Sequence, residues 1–257
     1  MSDDILHLPP PPPDQRIAYG SDPNQFLDLR FPSSKRKSSG PLVINIHGGF
    51  WRAKYDLAHA GHLCAALQAS GIATANVEYR RVGNHGGGWP GSFADICDAH
   101  QFLLQNADAY RIHPSRLVVM GHSAGGQLAL CLAAHEPALH GVISLAGVVD
   151  LRRAYDLHLS NDAVVEFLHG TPNEVHESYR EADPMQLSIR PQQRLIHGLE
   201  DDTVPPAFSR DYVTAKHGKR KEDARLTEIA GANHMDLIDP RSAAWKQVEQ
   251  RVLQLSA

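Results

Sequence analysis

The run Leu117-Val118-Val119-Met120-Gly121-His122-Ser123-Ala124-Gly125-Gly126 constrains this chain more than any other segment. Its first four residues read as a strand buried on both faces. Gln127 to His135 reads as a helix, ended near Pro137. A strand that turns at once into a helix brings two backbones close together. The positions two before and two after the corner must therefore be small, and Gly121 and Gly125 occupy them. The corner residue, Ser123, is expected in a strained backbone conformation with its hydroxyl exposed. The helix N-terminus adds amides and the positive end of a dipole beside any negative charge that forms there.

The rest of the chain alternates in the way such a corner requires. Strand character appears at 25–31, 42–46, 72–79, 117–120, 142–146, 194–197 and 224–229. Helical character appears at 57–70, 93–106, 127–135, 206–217 and 243–255. This βαβα order predicts an α/β fold, a mostly parallel doubly wound sheet of about eight strands with helices on both faces. Residues 151–190 lack strand character and read as short helices and loops, placed where a small cap could be inserted. Residues 16–257 are expected to form one domain. Residues 1–15, with the proline tract Pro9–Pro13, read as a stiff peripheral arm.

At 257 residues, folding buries roughly 70–75% of the unfolded surface, so no disulfide or metal staple is needed. Net charge is −4, with no basic domain, which argues against nucleic-acid binding. The runs Lys35-Arg36-Lys37 and Lys216–Lys221 read as solvated turns. No stretch approaches the roughly 18 apolar residues of a membrane span. The acidic start has neither the basic nor the apolar region of a signal peptide, and a cytoplasmic setting is expected. Cys64, Cys97 and Cys131 match no metal or redox spacing and read as free thiols. Nothing in the sequence requires an oligomer.

A serine nucleophile needs a base, and the base needs an orienting acid. Both are expected on later strand ends, acid first. His197-Gly198-Leu199-Glu200-Asp201-Asp202-Thr203-Val204-Pro205 follows one strand, and Gly231-Ala232-Asn233-His234-Met235-Asp236 follows the last. His234 is the expected base. Asp201 is the favoured acid, with Asp202 the alternative. Val204-Pro205 after it would turn the chain into the next helix.

An oxyanion needs donors as well. His47-Gly48-Gly49-Phe50-Trp51 follows the 42–46 strand, where two glycines let backbone amides face a site unobstructed. Gly48 or Gly49, with the amide of Ala124, is the expected donor pair. His85-Gly86-Gly87-Gly88-Trp89 looks similar, but only one helix and one strand separate it from Ser123. The earlier loop has one further strand and helix between and suits the role better. Phe50, Trp51, Trp89 and His122 are expected to contact substrate.

This set resembles the α/β-hydrolases from about residue 25 to the end. Within that fold it is similar to the branch holding hormone-sensitive-lipase-like esterases, kynurenine formamidases and bifunctional feruloyl/acetylxylan esterases. The H-G-G-x-W form lies closer to the last two. The stretch Glu78–Gly83, followed by Gly86-Gly87-Gly88-Trp89-Pro90, is similar to the feruloyl/acetylxylan group.

Residue chemistry and resemblance imply the same function. The chain is expected to be a serine carboxylesterase for small or aromatic acyl esters. The alternative is an arylformamidase hydrolysing N-formylkynurenine. The partner is a small-molecule ester or formamide, and no metal or organic cofactor is expected. The 16 histidines raise a metallohydrolase, but His59/His62, His135/His140 and His169/His176 show no H-E-x-x-H pattern. A silent binding protein on the same fold is the third reading, opposed by the full triad.

Overall fold

A computed structural model of the chain describes residues 2–32 and 40–257. The Lys35-Arg36-Lys37 run lies outside the described residues.

Period-two burial organises the centre. In β3 (Gly40–Ile46), Leu42, Ile44 and Ile46 face one core and Val43 the other. In β5 (Ile112–His122), Leu117 and Val119 face the first core, Val118 and Met120 the second. A strand covered on both sides is apolar at nearly every position, and the exception in β3, the buried Asn45, is satisfied by donating from Nδ2 to Asn76 Oδ1 at 2.8 Å. Full burial of each such apolar side chain contributes about 1.5–3 kcal/mol.

The other strands are β1 (Gln15–Ala18), β2 (Phe26–Arg30), β4 (Ala73–Val77), β6 (Gly141–Leu145), β7 (Gln192–Gly198) and β8 (Ala224–Ile229). They form one sheet of eight in the order β1-β2-β4-β3-β5-β6-β7-β8. β1 and β2 pair antiparallel, β2 joins β4 antiparallel, and the rest is parallel. The sequence pattern does not announce the short, exposed strand β1. Its Gln-Arg-Ile-Ala carries no clear alternation, and it forms only as the edge partner of β2.

Helices α2 (Gly91–Gln105), α3 (Ala124–His135) and α7 (Ala207–Ala215) cover one face. Helices α1 (Gly61–Ala69) and α8 (Trp245–Ser256) cover the other. Residues 151–190 hold three short helices, α4 (Leu151–Asp156), α5 (Ala163–Leu168) and α6 (His176–Ala182), between β6 and β7. α3 begins at Ala124, three residues earlier than the sequence pattern suggests, because the serine corner itself starts the helix.

Two readings of the sequence need refining. Residues 4–15 are mostly exposed or half-buried, yet the arm is anchored to the body. Ile5 is fully buried in the α1/α8 core, and the Pro11 carbonyl accepts a hydrogen bond from Arg30 Nη2 at 2.7 Å. The run from Lys216 is not simply a solvated turn. Lys216 is buried over the Tyr212 ring and donates to the Leu187 carbonyl, with Glu222 at 3.9 Å. Its long stem is what the sequence pattern hid, since a lysine can pack its methylenes while its ammonium finds oxygen.

The corner tolerates no added carbon. A Cβ on Gly125 would stand 2.1 Å from the Ile46 carbonyl oxygen and 2.5 Å from that of His47. Both obstacles are backbone, so neither can rotate away. Gly125→Ala is therefore expected to yield little soluble, cooperatively melting protein. Gly218→Ala, with nothing within 4 Å, is expected to melt like the parent. Circular dichroism melts of both check this, and a normal melt for Gly125→Ala would contradict the strand–helix contact.

Candidate active site

The chain leaves β3 toward β4, then returns to place β5 on the other side of β3. Such a reversal opens a crevice at the carboxyl ends of the two strands. The loop from His47 leaves β3 there, and Ser123 leaves β5.

Ser123 has φ +55° and ψ −120°. Such a conformation costs a non-glycine residue on the order of 1–3 kcal/mol, so the surroundings must hold it. Its amide donates to the Leu145 carbonyl at 2.8 Å, and its carbonyl accepts from Gly126 at 2.9 Å and Val148 at 3.2 Å.

The glycine loop passes directly over this corner. A Cβ on Gly48 would lie 2.8 Å from the His122 carbonyl oxygen and 3.0 Å from Ser123 Cβ. Gly49 has φ +112°, and a side chain there would run into the Tyr55 ring. Among the described residues, the amides of Gly49 and Ala124 donate to no protein acceptor. His47 anchors the loop from below, its ring nitrogens facing the Gly48 carbonyl at 2.8 Å and Glu78 Oε1 at 3.1 Å. Burial disfavours charge on Glu78, yet His47, Arg81 and the Leu57 amide outweigh it and hold the carboxyl below its usual range.

His234 Nδ1 lies 2.7 Å from Asp201 Oδ2. With Nδ1–H donating, the neutral ring keeps its lone pair on Nε2. Asn233 fixes the loop, its Oδ1 accepting from the amides of Met235 and Asp236 while its own amide donates to Asp236 Oδ2. The His122 ring packs 4.4 Å from that of His234, and its Nε2 donates to the His234 carbonyl at 3.0 Å. Burial and the neighbouring histidines His234 and His59 push the His122 ring well below the usual imidazole range. His59, buried against His47, is pushed down to about 3.

Asp201 accepts on both oxygens. Oδ1 takes the amides of Thr203 and Val204, each at 2.9 Å. Oδ2 faces His234 and, at 3.2 Å, His197 Nε2. Burial opposes its charge, but the hydrogen bonds from His197 and His234 prevail and hold the carboxyl well below the usual carboxylate range. Asp202 is exposed at the mouth of the cavity. The structure thus joins Asp201, and not its neighbour, to His234.

Ser123, His234, His122, Gly49 and Phe50 line one cavity of about 560 Å³. Two expected substrate contacts do not. Trp51 is buried, stacked on Phe167 at 4.5 Å with its Nε1–H donating to Gln127 Oε1 at 3.0 Å. Trp89 stacks on Phe93 at 5.1 Å, and its amide donates to the Phe167 carbonyl at 2.7 Å. Both indoles belong to the core, each packed on an aromatic partner. They bind α5 to the body and act on the site only through it.

Sequence reasoning passed over several residues here. His197 is the penultimate residue of β7, four residues before Asp201, a spacing that could have paired them. Its Nδ1 accepts from Ser209 at 2.7 Å while Nε2–H is shared between Asp201 and the Val204 carbonyl. Arg52 donates to both oxygens of Glu166, at 2.8 and 3.0 Å, and to Ser160, tying the glycine loop to the 151–190 segment. Leu6, Tyr55, His59, Ser160 and Asn161 also line the cavity. Among the described residues, no group of three or more His, Cys, Asp or Glu side chains could hold a metal ion.

The sequence model of the BD-FAE family matches residues 27–215, nearly three quarters of the chain. The chain belongs to the BD-FAE family. The match takes in the glycine loop, Ser123 and Asp201, while His234 lies beyond it and is joined to the site by geometry. Among curated relatives, esterase LipC of Mycobacterium tuberculosis is 26% identical over 245 residues, 88% of this chain and 60% of that protein. A probable isoprenylcysteine alpha-carbonyl methylesterase of Oryza sativa is 26% identical over 261 residues, 91% of this chain and 61% of that protein. The chain spans about three fifths of the length of these relatives.

Solved structures agree with the BD-FAE assignment in fold. A truncated carbohydrate esterase from gut microbiota superposes with TM-score 0.78 at 21% identity, covering 97% of this chain and 99% of that one. Esterase Est2 of Thermogutta terrifontis, with propionate bound, gives TM-score 0.75 at 22% identity, covering 93% and 92%. The eight-stranded sheet is that of an α/β-hydrolase.

Proposed function

We propose that this BD-FAE member is a serine hydrolase cleaving carboxylic esters of small or aromatic acyl groups through an acyl-enzyme on Ser123. The observation that carries the reading is the meeting of Ser123 with the His234–Asp201 pair in one cavity beneath the glycine loop. Ester-cleaving relatives support it.

The chemistry follows from the contacts. His234 Nε2 takes the Ser123 proton as Oγ attacks the ester carbonyl. Asp201 holds the proton on Nδ1 and stabilises the imidazolium. Amides of Gly48 or Gly49 and Ala124 receive the oxyanion, each well-placed donor contributing about 2.7–4 kcal/mol in the transition state. His234 then protonates the leaving alkoxide, and water releases the acyl group by the same steps. A cavity of about 560 Å³ has room for a small ester and for an aryl group beside Phe50 and Tyr55. An arylformamide could use the same groups, but no feature of the cavity favours it. Three free cysteines suit the cytoplasmic setting we infer.

The test is a paired rate assay. Purified protein is given p-nitrophenyl acyl esters from acetyl to octanoyl, and N-formylkynurenine. Short-chain ester cleavage with negligible formamide turnover supports the reading; a higher kcat/KM for the formamide than for every ester overturns it.

The pH dependence has a definite sign. Asp201 binds its proton less readily folded than unfolded. Its contact therefore stabilises the fold above the ordinary carboxylate range and is lost only as pH falls toward the lower folded value. Across mildly acidic pH it stays charged, and His59 and His122 stay neutral. The melting-point gap between the parent and Asp201→Asn is therefore expected to persist from about pH 8 down to about pH 5. A gap that closes by about pH 5 would contradict the lowered carboxyl.

A further inference from the structure

The N-terminal arm reaches the active site, and nothing in the triad chemistry requires it. The turn Ser2–Leu6 packs on the turn Met235–Leu237, which begins directly after His234, and on the turn Leu57–Ala60. Ile5 is fully buried in the core that also holds Leu237 and Ile238. Leu6, the next residue, lines the cavity with Ser123 and His234.

The proline run holds this turn in place. Pro10 lies so close to Gly61 that a Cβ there would stand 2.5 Å from Pro10 Cβ. Arg30 Nη2 donates to the Pro11 carbonyl at 2.7 Å. Beyond the run, the Asp14 amide donates to the Leu29 carbonyl at 3.0 Å and Asp14 Oδ2 accepts from the Phe31 amide at 2.6 Å, fixing the arm to the sheet edge. Proline has its φ already set, so docking five of them orders less chain than docking five other residues would.

We propose that Pro9–Pro13 is a strut that holds Leu6 as the wall of the leaving-group side of the cavity, and that Leu6 sets the size of alcohol accepted. The inference rests on the esterase reading above. The side follows from the chemistry. His234 must reach the leaving oxygen to protonate it, so the alcohol lies on the histidine side of Ser123. The arm stands on that side, against the turn that follows His234.

The experiment measures kcat/KM for acetates of ethanol, phenol and 1-naphthol, and for phenyl esters of acetate, butyrate and octanoate. Each variant is expressed relative to the parent on the same substrate, which cancels intrinsic reactivity. Leu6→Ala is expected to raise the naphthyl-to-ethyl ratio about tenfold, the effect of removing hydrocarbon from a pocket wall. Leu6→Trp is expected to lower it. The acyl series is expected to keep its order in both. Gly61→Ala, outside the cavity, displaces Pro10 and is expected to shift the ratio in the direction of Leu6→Ala. Thermal melts confirm that each variant folds.

Equal changes across all alcohols, or a change confined to the acyl series, overturn the assignment of Leu6. A Gly61→Ala ratio identical to the parent overturns the strut. A parent that cleaves no ester removes the esterase reading, and this inference with it; an active parent with unmoved alcohol selectivity removes this inference alone.

Discussion

Ser123→Ala is expected to lose about a million-fold in kcat on p-nitrophenyl acetate while melting within a few degrees of the parent. The two halves of this expectation have separate causes. Turnover falls because the substitution deletes the only atom that can bond to the acyl carbon, and nearby water cannot occupy that place with the same alignment. The fold survives because the strained corner is held by backbone groups. The Ser123 amide bonds to Leu145, and its carbonyl is bonded by Gly126 and Val148, all unchanged by the substitution. The hydroxyl does not cap α3, so no helix contact is lost. Paired measurement of kcat and melting temperature checks both. Activity within tenfold of the parent would remove Ser123 as nucleophile.

Asp201→Asn is expected to cost about ten-thousandfold in kcat, and Asp202→Asn less than about threefold. Four N–H donors surround the Asp201 carboxylate: Thr203 and Val204 on Oδ1, His234 and His197 on Oδ2. An amide offers oxygen on one side only. If it keeps the oxygen toward the two backbone amides, its NH₂ faces two ring N–H groups. His234 then relieves the clash by moving its proton to Nε2, the nitrogen that must accept from Ser123. The wrong tautomer cannot act as a base. Leaving a buried donor unpaired also destabilises the fold by about 1–3 kcal/mol, so the melting point is expected to drop. Asp202, exposed at the cavity mouth, has no such neighbours. A larger loss for Asp202→Asn would transfer the acid to that position.

Where sequence reasoning succeeded, the signal was local. The serine corner needs small residues at fixed offsets, and Gly125 would touch the Ile46 carbonyl if it were any larger. The central residues of β3 and β5 are apolar, save the hydrogen-bonded Asn45, because both faces are covered. Chain order singled out His47–Trp51 over the glycine-rich loop at 85–89, and in space β3 does lie beside β5. Asp201 and Asp202 could be ranked only by the turn expected after them.

The errors share one cause. Trp51 and Trp89 sit in glycine-containing, site-like loops, yet packing against Phe167 places both in the core. Phe167 lies more than seventy residues from either tryptophan, and no local pattern announces it. Lys216 was hidden in a charged run by the same blindness to distant partners. His197 looked like the end of a strand, because Ser209 and Asp201, which give its ring a purpose, become its neighbours only after the loop closes.

By itself the sequence determined the α/β class, the strand-to-helix corner at Ser123, and the order in which the Asp201 and His234 loops follow it. These depend on contacts between residues a few positions apart, whose steric and hydrogen-bonding demands are readable from spacing. Only the tertiary structure decided which carboxylate meets His234, which aromatic rings line the cavity, and that Leu6 lines it too. Those outcomes depend on packing between segments brought together from opposite ends of the chain, where a shift of one residue changes the partner and leaves the local pattern unaltered.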